Sequence, residues 1–277
     1  MRLTILSDNS HHPTDDRLAT EHGLAIFIEH EGQQILCDFG ASELYARHAA
    51  LLGIDLNALT FAFASHGHRD HTGGMGHFLA HHAAPIYLTP EVFAYRFYSS
   101  RGLSKHEIST DLTLQQHHPD RFRYVTASRW LDDAQRIALV KTDHAPHPTP
   151  LGNGSLTKAT ACCEVADDFS HELSAAFRTD KGLVIINSCS HRGALNIIDA
   201  CCTFTGEPRL HAYIGGLHLI DSDKAAEETR YLSDQLTRQH PHATLLTGHC
   251  TGSIAKEILK QSSTFTQIIH VGLQIVL

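Results

Sequence analysis

Between Phe63 and Met75 the chain runs Ser65-His66-Gly67-His68-Arg69-Asp70-His71-Thr72-Gly73-Gly74, with four metal-ligand side chains inside six residues. His66 and His68 are two apart, so on extended backbone their rings leave on the same side. Asp70 and His71 follow as the chain turns, where they face a second point close by. This spacing does not suit the helical zinc motif, whose histidines stand four apart on one face. It suits two neighbouring cations gripped from one loop, an arrangement that activates water and steadies developing negative charge. A chain with 24 histidines places some of them together by chance. The strand-loop-helix setting and the double glycine argue for a built site.

That setting is readable on both sides of the loop. The run Leu59-Thr60-Phe61-Ala62-Phe63-Ala64 reads as a buried strand, and Met75-Gly76-His77-Phe78-Leu79 as the start of a helix. Upstream come a strand over 2–7, a hairpin of 24–28 and 34–37 turning at Glu31-Gly32, and a helix over 42–52. Downstream, 85–88 reads as a short strand, and Thr89-Pro90-Glu91 opens a helix with Pro at its first position. Residues 99–120 show no periodicity that places them. The stretch 145–155, with three prolines and two glycines, reads as a linker or as a loop bordering the active site.

The second half repeats one pattern three times: a strand, a short loop bearing a histidine, then a helix. Strands at 173–178 and 183–187 lead into Cys189-Ser190-His191-Arg192-Gly193 and a helix to about 203. The strand 210–214 leads through Gly215-Gly216-Leu217-His218 to a helix at 223–238. The strand 243–247 leads through Gly248-His249-Cys250-Thr251-Gly252 to a helix at 253–261, and a last strand lies near 267–276. Loops at strand ends are where layered α/β enzymes gather ligands from distant parts of the chain.

The His-x-His-x-Asp-His loop is the signature of the metallo-β-lactamase superfamily, which the chain resembles. The resemblance implies a single domain over 1–277, made of two similar halves and folded as a four-layer αββα sandwich. It also implies a dinuclear site, with His66, His68 and His191 on one metal and Asp70, His71 and His249 on the other. Asp70 and His218 are assigned to the reacting centre as well. His218, directly after the double glycine, or Asp221, three residues on, completes the ligand set. More narrowly, Glu21-His22-Gly23-Leu24, Asp38-x-Gly40, Cys189-Ser190-His191-x-Gly193, Gly215-Gly216-Leu217-His218-Leu219 and His249-Cys250-Thr251-Gly252 resemble one branch of the superfamily. That branch is named for 7,8-dihydropterin-6-methyl-4-(β-D-ribofuranosyl)aminobenzene-5′-phosphate synthase. Two departures stand out: Arg192 replaces a small residue, and Cys37 and Phe39 flank Asp38 where Phe and Thr are common. Arg192, near a helix start, is the candidate for binding a substrate phosphate or carboxylate. Asp38, Glu21 and His22 are assigned supporting roles behind the ligands.

Composition narrows the function classes. The 22 basic and 30 acidic residues give a net charge of −8, and no Lys/Arg run offers a nucleic-acid surface. No apolar stretch reaches the length of a membrane span and no secretory signal is visible, so a cytoplasmic protein is expected. The seven cysteines include no Cys-x-x-Cys. The adjacent pairs Cys162-Cys163 and Cys201-Cys202 are expected to pack in the core as small hydrophobes. The leading expectation is a hydrolase using two divalent ions, zinc before manganese or iron, on an ester, phosphoester or lactone of a small, phosphorylated molecule. The rivals are a transferase joining a dihydropterin diphosphate to a ribofuranosylaminobenzene phosphate, and a non-catalytic metal-binding or redox-sensing protein.

Overall fold

The hairpin Ala25–His30 and Gln33–Cys37 shows local sequence acting directly. Glu31 (φ 50°) and Gly32 (φ 75°) both take positive φ, the type I′ turn whose twist matches that of the flanking strands. The computed structural model describes residues 1–102, 104–262 and 265–277. They form two compact units: Met1–Thr126 with Ser155–His171 and His270–Leu277, and Ala127–Gly154 with Glu172–Ile269.

The first unit carries a seven-stranded mixed sheet in the order Gln274–Val276, Arg2–Ser7, Ala25–His30, Gln33–Cys37, Phe61–Phe63, Ile86–Leu88, Phe122–Tyr124. Its parallel pairing sets Cys37 opposite Phe63, so the strands leading into Asp38 and Ser65 end level. One face packs Leu36, Ala62 and Ile86 against Tyr45 and Ala49 of the helix Leu44–Leu51 and Phe78 and Leu79 of the helix Met75–His81. Each such large side chain taken from water contributes about 1.5–3 kcal/mol. A smaller antiparallel sheet in the same unit joins Glu164–Ala166, Leu156–Ala159, Arg96–Ser99 and His106–Glu107.

The second unit has its own seven-stranded sheet: Phe265–Ile268, Thr244–Thr247, Leu210–Ile214, Gly182–Ile186, Ser174–Thr179, Ile137–Val140, Arg129–Trp130. The strand Gly182–Ile186 is buried throughout, as an unalternating apolar run in a covered sheet should be. Helices Ala194–Thr205, Ala225–Gln239 and Ser253–Lys260 follow the parallel strands. Ile186, Ile214 and Leu246 lie in one register across those strands. The loops bearing His191, His218 and His249 therefore leave one edge of this sheet side by side.

Some expectations need correction. The single closing strand near 267–276 is two strands in different sheets, parted by a turn in which the Gly272 amide donates to the Ile5 carbonyl (2.8 Å). The helix at Thr89-Pro90-Glu91 lasts one turn, Glu91–Ala94, because Arg96–Ser99 is taken up as a strand. Within 99–120 lie the strand His106–Glu107 and the helix Thr113–His117, while Leu103 lies outside the described residues. Cys201 is buried and Cys202 half-buried, but Cys162 and Cys163 are exposed on a hairpin loop rather than in the core. Among the described residues no helix is long and apolar enough to cross a membrane.

Candidate metal centre

The His66–His71 loop is braced from below by Asp38, which follows the neighbouring strand and holds φ at 58°, a region that Asp tolerates better than most residues. Its carboxylate is buried and accepts three bonds: from the Ser65 amide (2.6 Å), the Ser65 hydroxyl (2.6 Å) and His71 Nδ1 (2.8 Å). This orients two rings. A carboxylate only accepts, so His71 Nδ1 carries a proton and Nε2 is the atom left to meet a metal. The Ser65 hydroxyl gives its one hydrogen to Asp38, so at 2.8 Å it must accept from His66 Nδ1, which again leaves Nε2 to meet a metal. The loop backbone is pinned by the Arg69 amide on the Ile108 carbonyl (2.7 Å) and the Phe39 amide on the His71 carbonyl (2.8 Å). Gly73 and Gly74 allow this close approach. A Cβ on either would stand 2.2 Å from a backbone oxygen, that of Ala41 or Phe39.

His68 is oriented differently. Its Nε2 lies 3.6 Å from Asp167 Oδ2, and the same oxygen lies 3.1 Å from His171 Nε2. His171 Nδ1 accepts the Gly67 amide (2.9 Å), so its proton sits on Nε2, towards Asp167. The Asp167 carboxylate draws hydrogen towards His68 Nε2, although at 3.6 Å the two atoms are too far apart for a hydrogen bond. The donor atoms of Asp38, His66 and His71 lie within 4.8 Å of one another, as do those of His68, Asp167 and His171. Burial drives His66 well below the ordinary histidine pKa, helped by the nearby His71 and His68. Burial also lowers His68 against the pull of Asp167. Burial opposes charge on His71 too, but Asp70 and Asp38 outweigh it and hold that imidazole up at about 10. The field that retains a proton there also favours a metal cation. Asp70 lies 3.4 Å from His71 Nε2 and 3.4 Å from His22 Nε2.

In the second unit, strain marks the same kind of loop. Ser190 (φ 58°), His218 (φ 49°) and His249 (φ 45°) all hold left-handed backbone, which non-glycine residues keep only when their surroundings enforce it. Glu172 provides part of that enforcement by accepting the amides of His191 (2.7 Å) and Arg192 (2.8 Å). Asn187 Oδ1 accepts the Ser190 amide (2.6 Å), and the Ser190 hydroxyl donates to the Gly216 carbonyl (2.5 Å). Gly215 (φ 136°) passes so near the Asn187 carbonyl that no side chain fits. Asn153 donates its amide hydrogen to the His191 carbonyl (2.8 Å), which turns its oxygen towards His191 Nδ1 (3.1 Å). That oxygen accepts, so His191 also carries its lone pair on Nε2. The proline- and glycine-rich 145–155 stretch thus borders the His191 loop. The rings of His191 and His218 lie 4.3 Å apart, and His218 and His249 are buried.

Of the residues assigned supporting roles, Asp38 lies against His71 and Ser65. Glu21 instead brackets the turn after Asp38, accepting from Ser7, Ala41 and Ser42. Asp221 is turned away as a helix cap: it accepts the Ser253 and Ile254 amides (3.0 and 2.9 Å) at the start of Ser253–Lys260. Of the two candidates near Gly216, the buried His218 is the one left facing His191. The Arg192 guanidinium donates to the Thr142 and Asp143 carbonyls (3.0 and 3.3 Å), which ties it to that segment. Asp167, His171, Glu172 and Asn153 carry no sequence motif and were missed. The available signal was a polar run, Asp167 to Glu172, set directly before a buried strand.

The donor set therefore fits divalent metal: imidazoles aimed by hydrogen bonds and a carboxylate, on loops held by buried hydrogen bonds. Residues 19–155 match the family model described as the metallo-beta-lactamase superfamily. Tm1679, a metal-dependent hydrolase of the β-lactamase superfamily, is similar in structure over 100% of this chain and 99% of its own, with a TM-score of 0.82 and 25% identity. The chain belongs to the metallo-β-lactamase superfamily. Its α/β fold is the one expected from the sequence. A curated relative of this superfamily member is the 7,8-dihydropterin-6-methyl-4-(β-D-ribofuranosyl)aminobenzene-5′-phosphate synthase of Methanocaldococcus jannaschii, 26% identical over 87% of this chain and 85% of the relative. It is the protein for which the expected branch is named. Zinc-bound PqqB from Methylobacterium extorquens shares the fold alone, at a TM-score of 0.62 and 12% identity over 100% of both chains. The protein is thus a metal-dependent enzyme of the superfamily.

Proposed function

We propose that His66, His68, Asp70 and His71 of the first unit, with His191, His218 and His249 of the second, hold two divalent ions, zinc by preference. We further propose that the centre hydrolyses an ester, phosphoester or lactone of a small molecule. The observation that carries this reading is the orientation of His66, His71 and His191, each with Nδ1 held by a side-chain oxygen so that Nε2 is the atom left to meet a metal. Hydrogen bonds that set ligand tautomers are what a metal site needs behind its ligands. When bound, the ions supply Lewis acidity to the oxygen atoms that gain negative charge. Asp70, partly open to solvent, takes the proton of the attacking water at Oδ2. Asp38 keeps the His71 ring aimed through its bond to Nδ1, and the buried His218 lines the reacting centre beside His191. A second reading has one favouring observation, the synthase relative. In it the same residues serve the transfer of a dihydropterin methylene from diphosphate to an aminobenzene carbon.

Metal analysis together with turnover of generic phosphodiester and lactone substrates tests the first reading. Two ions per chain are expected, with turnover lost in His68→Ala. Tightly held metal without turnover across a broad panel refutes it. Diphosphate release from a dihydropterin diphosphate and an aminobenzene acceptor supports the second reading, and no release counts against it.

A further inference from the structure

Adjacent residues on a strand point to opposite faces, so neighbouring cysteines normally hold their sulfurs apart. Cys162 and Cys163 do not sit on a strand. They close the loop between Leu156–Ala159 and Glu164–Ala166, where the pairing of Ala159 with Glu164 brings the chain round. The Thr160 amide donates to the Cys163 carbonyl (2.8 Å) and the Cys163 amide to the Thr160 hydroxyl (3.3 Å), which fixes the turn. Both sulfurs come to one side, 3.3 Å apart, with the Thr160 hydroxyl 3.5 Å from one and 3.7 Å from the other. Both residues are exposed.

The separation selects the kind of ion. With sulfur bonds of about 2.3 Å, two sulfurs 3.3 Å apart subtend about 92° at a shared ion. That is narrower than the tetrahedral angle zinc prefers and close to the right angle of a pyramidal three-coordinate ion. We propose that Cys162 and Cys163 form a surface capture site for trivalent arsenicals. With a monosubstituted arsenical, R–As(OH)2, two As–O bonds break and two As–S bonds form. The two thiol protons leave with the hydroxides as two waters, and arsenic stays trivalent throughout.

Thiol reactivity supports the assignment. The Thr160 hydroxyl, and then the Cys163 thiol, lower the Cys162 thiol below its ordinary pKa, which raises its thiolate fraction. Burial instead pushes Cys202 up to about 11 and Cys201 well above the normal value, so the other adjacent pair stays protonated. Cys189 and Cys250 also lie 3.4 Å apart, but both are buried.

Phenylarsine oxide is the probe, and intact-mass spectrometry with peptide mapping is the readout. The wild-type protein is expected to take up one phenylarsenic group per chain on the peptide containing 162–163. A dithiol such as 2,3-dimercaptopropanol should remove the group, while excess 2-mercaptoethanol should not. Cys162→Ser and Cys163→Ser each leave a single thiol, so binding should weaken roughly 10²–10⁴-fold with the loss of the second attachment. Thermal melts check that the variants fold. No uptake by the wild type, removal by the monothiol, an adduct that survives in folded Cys162→Ser, or an adduct mapped to Cys189 and Cys250 would each overturn the proposal.

Discussion

Replacing Asp38 by Asn changes almost nothing in shape and much in hydrogen bonding. The carboxylate accepts from the Ser65 amide through Oδ1, and from the Ser65 hydroxyl and His71 Nδ1 through Oδ2. An amide accepts through one atom only. If its nitrogen faces the Ser65 amide, two buried donors oppose each other, at a cost of about 1–3 kcal/mol. If its nitrogen faces the other pair, it donates to His71 Nδ1, and the His71 proton moves to Nε2. The Ser65 hydroxyl then loses its acceptor and turns towards His66, which undergoes the same exchange. Either imidazole then carries hydrogen where a metal needs a lone pair. Loss of a partner behind a ligand costs about 10–100-fold in metal affinity, and the effect here falls on two ligands at once. Asn tolerates a φ of 58° as Asp does, so backbone strain does not confound the result. The assay is chelator competition for metal affinity, paired with chemical denaturation of the metal-free chain. The expectation for Asp38→Asn is a fall in affinity of at least about tenfold with a stability loss of about 1–3 kcal/mol. Wild-type affinity in a folded Asp38→Asn chain would refute the reasoning.

Asp221→Ala removes a helix cap and should cost about 0.5–2 kcal/mol with metal stoichiometry unchanged, read by denaturation and metal analysis. A lost ion would return Asp221 to the ligand set. Gly73→Ala drives a Cβ to 2.2 Å from the Ala41 carbonyl, so a loss of at least about 2 kcal/mol is expected. An unchanged melt would show that the Ala41 segment yields freely. His171→Asn keeps an acceptor for the Gly67 amide, while His171→Gln keeps a donor for Asp167. If Asp167 sets the His68 tautomer through its own orientation, the Gln variant retains more metal affinity than the Asn variant; the reverse order assigns the larger role to the Gly67 anchor. The Arg209 guanidinium beside Glu207 holds that carboxyl down to about 2. Its folded value is depressed, so the contribution is present above the unfolded value of 4.5 and is lost as pH falls through about 2. Arg209→Ala should move the Glu207 midpoint towards 4.5 in an NMR titration, with little change in stability because the pair is exposed.

The sequence by itself determined the parts that act locally. The strand-loop-helix units show in the switch from apolar runs to glycine-flanked histidines. The hairpin at Glu31-Gly32 is legible because a turn with two positive φ angles needs few partners. The loop His66–His71 declares itself because its four donors stand within six residues. Register carries part of the long-range result. Once Ile186, Ile214 and Leu246 align, the loops of His191, His218 and His249 must leave one edge together. What only the tertiary structure decided is what stands behind the ligands. Asp167 and His171 lie about a hundred residues from the loop they brace, and Asn153 and Glu172 reach His191 from 38 and 19 residues before it. No periodicity encodes such contacts, since a hydrogen bond depends on where two chain segments meet and not on what flanks either one. The same reason separates Asp221 from His218. Three residues apart, both read as ligands, but the backbone turn at His218 sends one carboxylate to a helix end and keeps the imidazole beside His191.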